Sequence, residues 1–443
     1  MGKGLQPDGV GTYPASADDL AGYQRASDQL RQFRVPLLKG SEEGRERLYV
    51  AAFDGTGNSM FKDAPANHSN VAHVAKQIDA LRDPAIGYGY VEGPGTQGGL
   101  DGLGDLMAGD SYRARLDEMY VQFVRQADAW LKENPDADIR IAAIGFSRGA
   151  EQAAGFTRMI EERGIQDPAG MNVVRDQRGF IEKLEFTRPP LREPGTVIQA
   201  VGLFDPVGTG EPRNHDRRLP PSVVSGFQIT AEDERRNLFQ STRVLDPGVT
   251  DGGRFLNVTV AGAHSDIGGS YTLDGLSVRS GNLMIDYLNA LSDPPFLQKR
   301  EEATDPARNV IHHSEDHQFF YRTSVYDKEG IRGRQEELAP SNLCRIDCLD
   351  AQPRNAAMAE GLHWRPVEIG PTPVAASPAS TVEQLLQAAK QGDGAAIDRI
   401  GREQLHGAQG QAWLQAGQQR LQEAQPVVHT PIEPQREPAT LAR

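Results

Sequence analysis

The chain has 443 residues, with 47 Lys+Arg against 61 Asp+Glu, giving a formal net charge of −14. That balance excludes the usual nucleic-acid binder, which carries a basic excess or stripe, and 38% hydrophobic residues exclude a chain disordered throughout. Two cysteines, Cys344 and Cys348, are too few to staple a scaffold of this length, so packing must hold it. No run reaches the roughly 18 apolar residues of a membrane span, and the first twenty residues lack the apolar core of a Sec-type signal. Export, if it occurs, is expected to need a dedicated machine.

Residues 1–45 read as a polar N-terminal extension with one helix over 18–33. From 46 to 325, short apolar runs alternate with helical stretches, the pattern of a mostly parallel α/β sheet with helices on both faces. Strands are expected over 48–53, 139–144, 197–204 and 255–260, and helices over 69–81, 112–132, 149–163 and 281–291. The charged, Pro- and Gly-punctuated stretches 164–195 and 211–254 read as lid-like insertions above the sheet. A peripheral segment, 326–375, is followed by a linker-like PTPVAASPAS and a helical tail, 376–443, with 12 Gln between 381 and 443. Such a tail suits secretion or partner binding.

Chemistry is expected where strands end, because ligands of open α/β sheets bind outside the carboxyl ends of the strands. Residues 139–150 read IRIAAIGFSRGA: an apolar strand, the elbow Gly145-Phe146-Ser147-Arg148-Gly149, then an Ala-rich helix. This is the strand–turn–helix setting of a nucleophilic serine, whose strained turn leaves no room for side chains at Gly145 and Gly149. The backbone N–H of Arg148, at the helix start, is placed to hold an oxyanion. Asp205 ends the run VGLFD and His264 follows FLNVTVAGA, 58 and 117 residues after Ser147, in the order Ser, Asp, His. The triad is therefore read as Ser147, Asp205 and His264. Asp266 is expected to support the His264 loop, and His312, His313, His317 and His363 are the alternative bases. The turn Asp54-Gly55-Thr56-Gly57-Asn58 after the first strand is assigned to the oxyanion region through Gly55 and Thr56, with Asp54 shaping the loop.

Four segments together resemble a family: FDGTGN at 53–58, GFSRGA at 145–150, GLFDPVGTG at 202–210 and GAHSDIGGSY at 262–271. They are similar to the catalytic domain of the first family of type VI secretion phospholipase effectors, and GPGTQGGLDGLGDLMAGDS at 93–111 and ITAEDERRNLF at 229–239 fit as well. The resemblance implies an α/β-hydrolase fold and a lipid-ester hydrolase that needs no cofactor. It further implies an antibacterial toxin made in the bacterial cytoplasm and delivered to a target cell envelope. Its implied partners are a phospholipid membrane, a cognate immunity protein and a secretion-system component. The sequence departs from the family at Phe204, where a Trp often precedes the acid, and at Pro206, where a Thr is common. A soluble carboxylesterase, or an inactive hydrolase scaffold serving as an adaptor, are the alternatives.

Other patterns weigh less. The formal G-x-G-x-x-G at 93–98 contains Pro94 and opens no helix, so a glycine loop is expected and not a dinucleotide site. Cys344 and Cys348 with His312, His313 and His317 have zinc-like spacing but read as structural residues, and 246–253 lacks the spacing of a calcium loop. No metal is expected. The arginines 213, 217, 218, 235, 236 and 243 read either as a phosphate-facing cluster or as a solvated charged surface.

Overall fold

The computed structural model describes residues 8–40, 44–81, 83–96, 111–317 and 332–372, with helical positions at 385, 389, 394, 397 and 400–402. The chain divides into two compact units, Met1–Val374 and Ala375–Arg443. The expected glycine-rich stretch over 97–110 and most of the expected tail helix lie outside the described residues.

The first unit is built on a seven-stranded sheet. Its strands are β1 (Glu46–Phe53), β2 (Ile86–Val91), β3 (Asp138–Phe146), β4 (Gln199–Phe204), β5 (Val223–Ala231), β6 (Gly248–Thr250) and β7 (Phe255–Val260). Their order is β6-β7-β5-β4-β3-β1-β2, all neighbours parallel except the antiparallel edge pair β6–β7. This is an α/β-hydrolase-like arrangement, with helices covering both faces.

Strand alternation explains the two faces. In β1, Leu48, Val50 and Ala52 join one hydrophobic core, while Tyr49, Ala51 and Phe53 join the other. Helices α1 (Ala17–Gln32), α2 (Asn70–Ala80) and α6 (Gly275–Ala290) bury Leu30, Val74 and Leu288 in the first. Helices α3 (Tyr112–Glu133) and α4 (Arg148–Arg163) bury Phe123 and Phe156 in the second. The short helix α5 (His264–Gly268) follows β7.

Several expectations are revised. The segment 211–254 is not wholly an insertion, because it supplies β5, which lies between β4 and β7. The segment 164–195 does not lie above the carboxyl ends. It forms a hairpin, Met171–Arg175 with Ile181–Phe186, whose base is tied by Arg192 to the Pro135 and Ala137 carbonyls just before β3. That is the amino end of the sheet. The N-terminal segment shares the main core, since Tyr23, Ala26 and Leu30 of α1 are buried in it and Arg34–Pro36 pairs with Trp364–Pro366. The helix expected over 281–291 begins at Gly275, six residues before the expected Gly281. Gly281 sits inside it because a Cβ there would meet Asn70 Oδ1 at 2.6 Å. Cys344 and Cys348 are joined in a disulfide, which removes both thiols from any zinc set.

Candidate active site

The residues expected to act lie at the carboxyl ends of β3, β4 and β7, with the loop after β5 packed against them. At the end of β3 the backbone turns through Ser147 at φ 60°, ψ −127°, and α4 begins at Arg148. A non-glycine residue held there costs about 1–3 kcal/mol and persists only where its surroundings dictate it. Those surroundings are explicit. Ser147 N–H donates to Phe204 O at 3.0 Å, tying the elbow to the end of β4. A Cβ on Gly145 would stand 2.2 Å from Gly149 O, and one on Gly149 would stand 2.3 Å from Phe53 O. Helix α4 thus lies against the ends of β3 and β1 at a separation only glycine allows. Gly149→Ala is expected to lower stability by about 3 kcal/mol, read as a fall in the midpoint of denaturant unfolding. An unchanged midpoint would contradict the close approach.

Asp205 follows β4, buried and at φ 38°. His264 opens α5 after β7, also buried, and its Nδ1 lies 2.6 Å from Asp205 Oδ2. The His264 ring stands 4.6 Å from the ring of Phe146, the residue before Ser147, and 5.1 Å from Phe239. Of the three residues singled out in the sequence, His264 and Asp205 are thus in contact, and Ser147 follows Phe146, on which the His264 ring packs, all at the carboxyl ends of interior strands. Burial works to raise the Asp205 carboxyl, but the Arg332 guanidinium and the His264 hydrogen bond outweigh it and hold it at about 2. Burial pushes the His264 imidazole below its ordinary value, opposed by Asp205. At neutral pH this is a neutral base beside an ionised acid.

The turn after β1 has a more selective arrangement than its sequence suggested. Gly55 N–H donates to Asp54 Oδ1 at 2.7 Å, Asp54 N–H to Val91 O, Gly57 N–H to Pro94 O and Asn58 N–H to Gly55 O. Gly55 N–H is therefore already engaged. Among the described residues Thr56 is the member of this turn whose N–H remains for a ligand, and its hydroxyl is buried without a partner. Asp54 also accepts from the Tyr90 hydroxyl at 2.5 Å, and burial lifts its carboxyl to about 6 against hydrogen bonds from Ser69, Tyr90 and Gly55. Gly93 must lack a Cβ, since one built there would lie 1.6 Å from Gly55 O. It braces this turn.

Asp266 accepts from Ala263 N–H, just before His264, at 2.9 Å. It also accepts from His312 N–H at 3.0 Å and lies 2.6 Å from His312 Nδ1. His312 is thereby committed to Asp266 and, through Nε2, to Asp8 at 3.1 Å. His317 lies 2.9 Å from the Tyr271 hydroxyl, and His313 beside Glu315.

Three residues of the site were not singled out as such by sequence. Glu234 is buried, accepts from His264 N–H at 3.1 Å and is gripped by Arg236, whose guanidinium covers the Phe239 ring. Arg332 Nη1 and Nη2 donate to Asp205 Oδ1 and Oδ2 at 2.8 and 3.0 Å. Glu234 and Arg236 lie within ITAEDERRNLF, a segment noted for its likeness alone; Arg332, 127 residues from Asp205, carries no local signal. The arginine cluster is not a free phosphate-facing set: Arg217 pairs with Glu151, Arg218 with Asp216, Arg236 with Glu234 and Arg243 with Asp246. Among the described residues no group of three or more His, Cys, Asp or Glu is disposed to hold a metal ion, and no helix is long and apolar enough to cross a membrane.

Comparison with known proteins bears on this geometry. Residues 47–189 match the family model described as T6SS, phospholipase effector Tle1-like, catalytic domain. Over that stretch the chain is similar to this family. The matched stretch contains the 53–58 turn and the elbow and ends before Asp205 and His264. No curated protein matches the chain. Among solved structures, an uncharacterised protein from Pseudomonas aeruginosa is 16% identical, with 73% of this chain and 54% of that one covered and a TM-score of 0.37. The Tle1 effector bound to the VgrG spike of the type 6 secretion system is 22% identical, with 51% of each chain covered and a TM-score of 0.31. Esterase 2 of Thermogutta terrifontis is 14% identical, covering 57% of this chain and 87% of that one, with a TM-score of 0.27. The chain spans about half the length of the first two. The fold assignment rests on the sheet order and the elbow.

Proposed function

We propose that the protein is a serine hydrolase of the phospholipase A type, cleaving carboxylic esters of membrane phospholipids through Ser147, His264 and Asp205. The observation that carries this reading is the buried His264–Asp205 contact of 2.6 Å, with the His264 ring packed at 4.6 Å on Phe146, which precedes Ser147 in the strained strand-to-helix turn. A Tle1-like match over 47–189 supports the lipid-ester substrate class. In the same reading the protein is an antibacterial effector exported by a dedicated system, with a secretion-system component and a cognate immunity protein as partners.

His264 Nε2 takes the Ser147 hydroxyl proton as Oγ attacks the ester carbonyl, and Asp205 orients the imidazole and stabilises its cationic form. The carbonyl oxygen gains the negative charge, which the N–H groups of Arg148 and Thr56 hold in place. The tetrahedral adduct collapses, breaking the acyl C–O bond, and His264 returns its proton to the departing lysolipid oxygen. Water then adds to the acyl-enzyme by the same route and frees the fatty acid, so no cofactor enters the cycle.

The test is release of fatty acid and lysolipid from phosphatidylethanolamine–phosphatidylglycerol vesicles, identified by mass spectrometry, for wild type and Ser147→Ala. Release by the wild type with loss of at least about 10⁴-fold in the variant is expected. Turnover of soluble short-chain esters with intact vesicles would favour a small-ester esterase instead. No hydrolysis of either by the wild type would point to an inactive scaffold.

A further inference from the structure

Asp205 has more donors than a catalytic acid needs. Oδ1 accepts from Ala231 N–H at 3.0 Å and from Arg332 Nη1 at 2.8 Å, while Oδ2 faces His264 Nδ1 at 2.6 Å and Arg332 Nη2 at 3.0 Å. The guanidinium is itself fixed: Nη1 donates to Ala231 O at 2.8 Å, Nη2 to Phe239 O at 2.7 Å and Nε to the same carbonyl at 3.1 Å. Asp205, His264 and Arg332 are buried, and Phe239 is half-buried. A two-toothed guanidinium–carboxylate contact fixes orientation as well as charge, which an ammonium cannot do.

We propose that Arg332 is a positioning residue for hydrolysis: it locks the Asp205 carboxylate in the rotation that meets His264, and by sharing its charge limits how strongly Asp205 favours the imidazolium. The proposal rests on the Ser147–His264–Asp205 reading. It adds a second consequence, that the centre is completed from outside the strand framework. Arg332 precedes Arg334–Gln335, which pairs with Ser241–Thr242, so the 332–335 segment and the loop after β5 clasp the acid together. The charged groups facing His264 are Asp205 after β4, Glu234 and Arg236 in the loop after β5, and Arg332 acting through Asp205.

Removing the guanidinium charge leaves Asp205 with its full negative charge directed at His264. The imidazolium is then better stabilised, and the acid limb of the pH profile moves to higher pH. The experiment compares wild type, Arg332→Gln, Arg332→Lys and Ser147→Ala on a soluble p-nitrophenyl ester between pH 5 and 9, with unfolding midpoints measured alongside. Arg332→Gln is expected to lose about tenfold or more in kcat/KM at neutral pH and to shift its acid limb upward. Arg332→Lys, which keeps the charge and loses the fork, is expected to lose kcat with its limb in place. A Gln variant with wild-type rate and limb, or one slowed with an unmoved limb, overturns the proposal, the second outcome marking a mere structural prop. If the Gln variant does not fold, the Lys variant decides: wild-type kcat there overturns it. Wild-type activity retained in Ser147→Ala would instead sink the serine-hydrolase reading on which it stands.

Discussion

Asp205→Asn is expected to lower kcat/KM for ester hydrolysis by about 10⁴-fold, because an amide offers its NH₂ or its carbonyl to His264 Nδ1 and cannot stabilise an imidazolium. A second loss is built into this site. The carboxylate is buried under the Arg332 fork, and an amide leaves that guanidinium facing a neutral group with donors of its own. Breaking a buried pair from one side costs about 3–5 kcal/mol, so the variant is expected to unfold at distinctly lower denaturant concentration. The two losses are separable. Steady-state kinetics on the folded fraction reads the first, and urea titration followed by circular dichroism reads the second. Activity within tenfold of wild type would remove Asp205 from the mechanism. The pH dependence has a fixed sign: with the carboxyl held at about 2, below its ordinary 3.8, its stabilising contribution is present above that ordinary value and is lost as pH falls through about 2.

His312→Ala carries the second large expected effect. Its ring lies between two carboxylates, Asp266 at 2.6 Å and Asp8 at 3.1 Å, beneath the stacked ring of Tyr271 at 3.8 Å. Burial alone would depress the imidazole, but the Asp266 and Asp8 hydrogen bonds reverse that and raise it from 6.5 to about 9. The histidine is therefore a buried cation at neutral pH, and its removal leaves two carboxylates without it. A destabilisation of about 3–5 kcal/mol is expected. Because the folded value is the higher one, the stabilisation is complete below about 6.5 and fades as pH rises through about 9. Wild type is thus expected to lose unfolding free energy between pH 7 and 9.5, and His312→Ala to lose less over the same range. Equal slopes for the two proteins would contradict a charged His312. Asp266 is two residues from His264 and holds Ala263, so the variant is also expected to lose hydrolytic activity.

How much of this was legible in the sequence depends on what each residue needs from its neighbours in the chain. β1, β3, β4 and β7 announce themselves as largely apolar runs, with few interruptions, because both faces of a parallel strand inside the sheet are covered. β2, IGYGYV, and β5, VVSGFQITA, are interrupted by glycine and polar residues that the fold uses for close contact. At Gly89 a Cβ would meet the Tyr49 hydroxyl at 2.2 Å, and at Gly226 it would stand 2.9 Å from the Phe255 ring. Local pattern counts such residues against a strand; tertiary packing selects them. The elbow was readable because its requirements are contiguous, from Gly145 to Gly149. Asp205 and His264 were readable because each follows an apolar run. Glu234 and Arg332 act at long range, and nothing in ITAEDERRNLF or IRGRQEE distinguishes a guanidinium bound to an acid from one in water. The engagement of Gly55 N–H by Asp54 depends on the side-chain torsion of Asp54, which no residue pattern encodes.

The elbow's glycines have a bearing on how this centre can change. Where Gly55, Gly93, Gly145, Gly149 and Gly268 meet Phe146, Gly55 O, Gly149 O, Phe53 O and the Phe146 ring, the geometry is set by side chains that are missing. A site shaped by absence has no smaller residue to retreat to, and every substitution there enlarges. On the proposed reading, a change of substrate preference is therefore expected to come from the surrounding loops, such as the one after β5 that carries the exposed Leu238, and not from these glycines. A library that spares the five glycines and randomises that loop should retain far more active members than one that does the reverse.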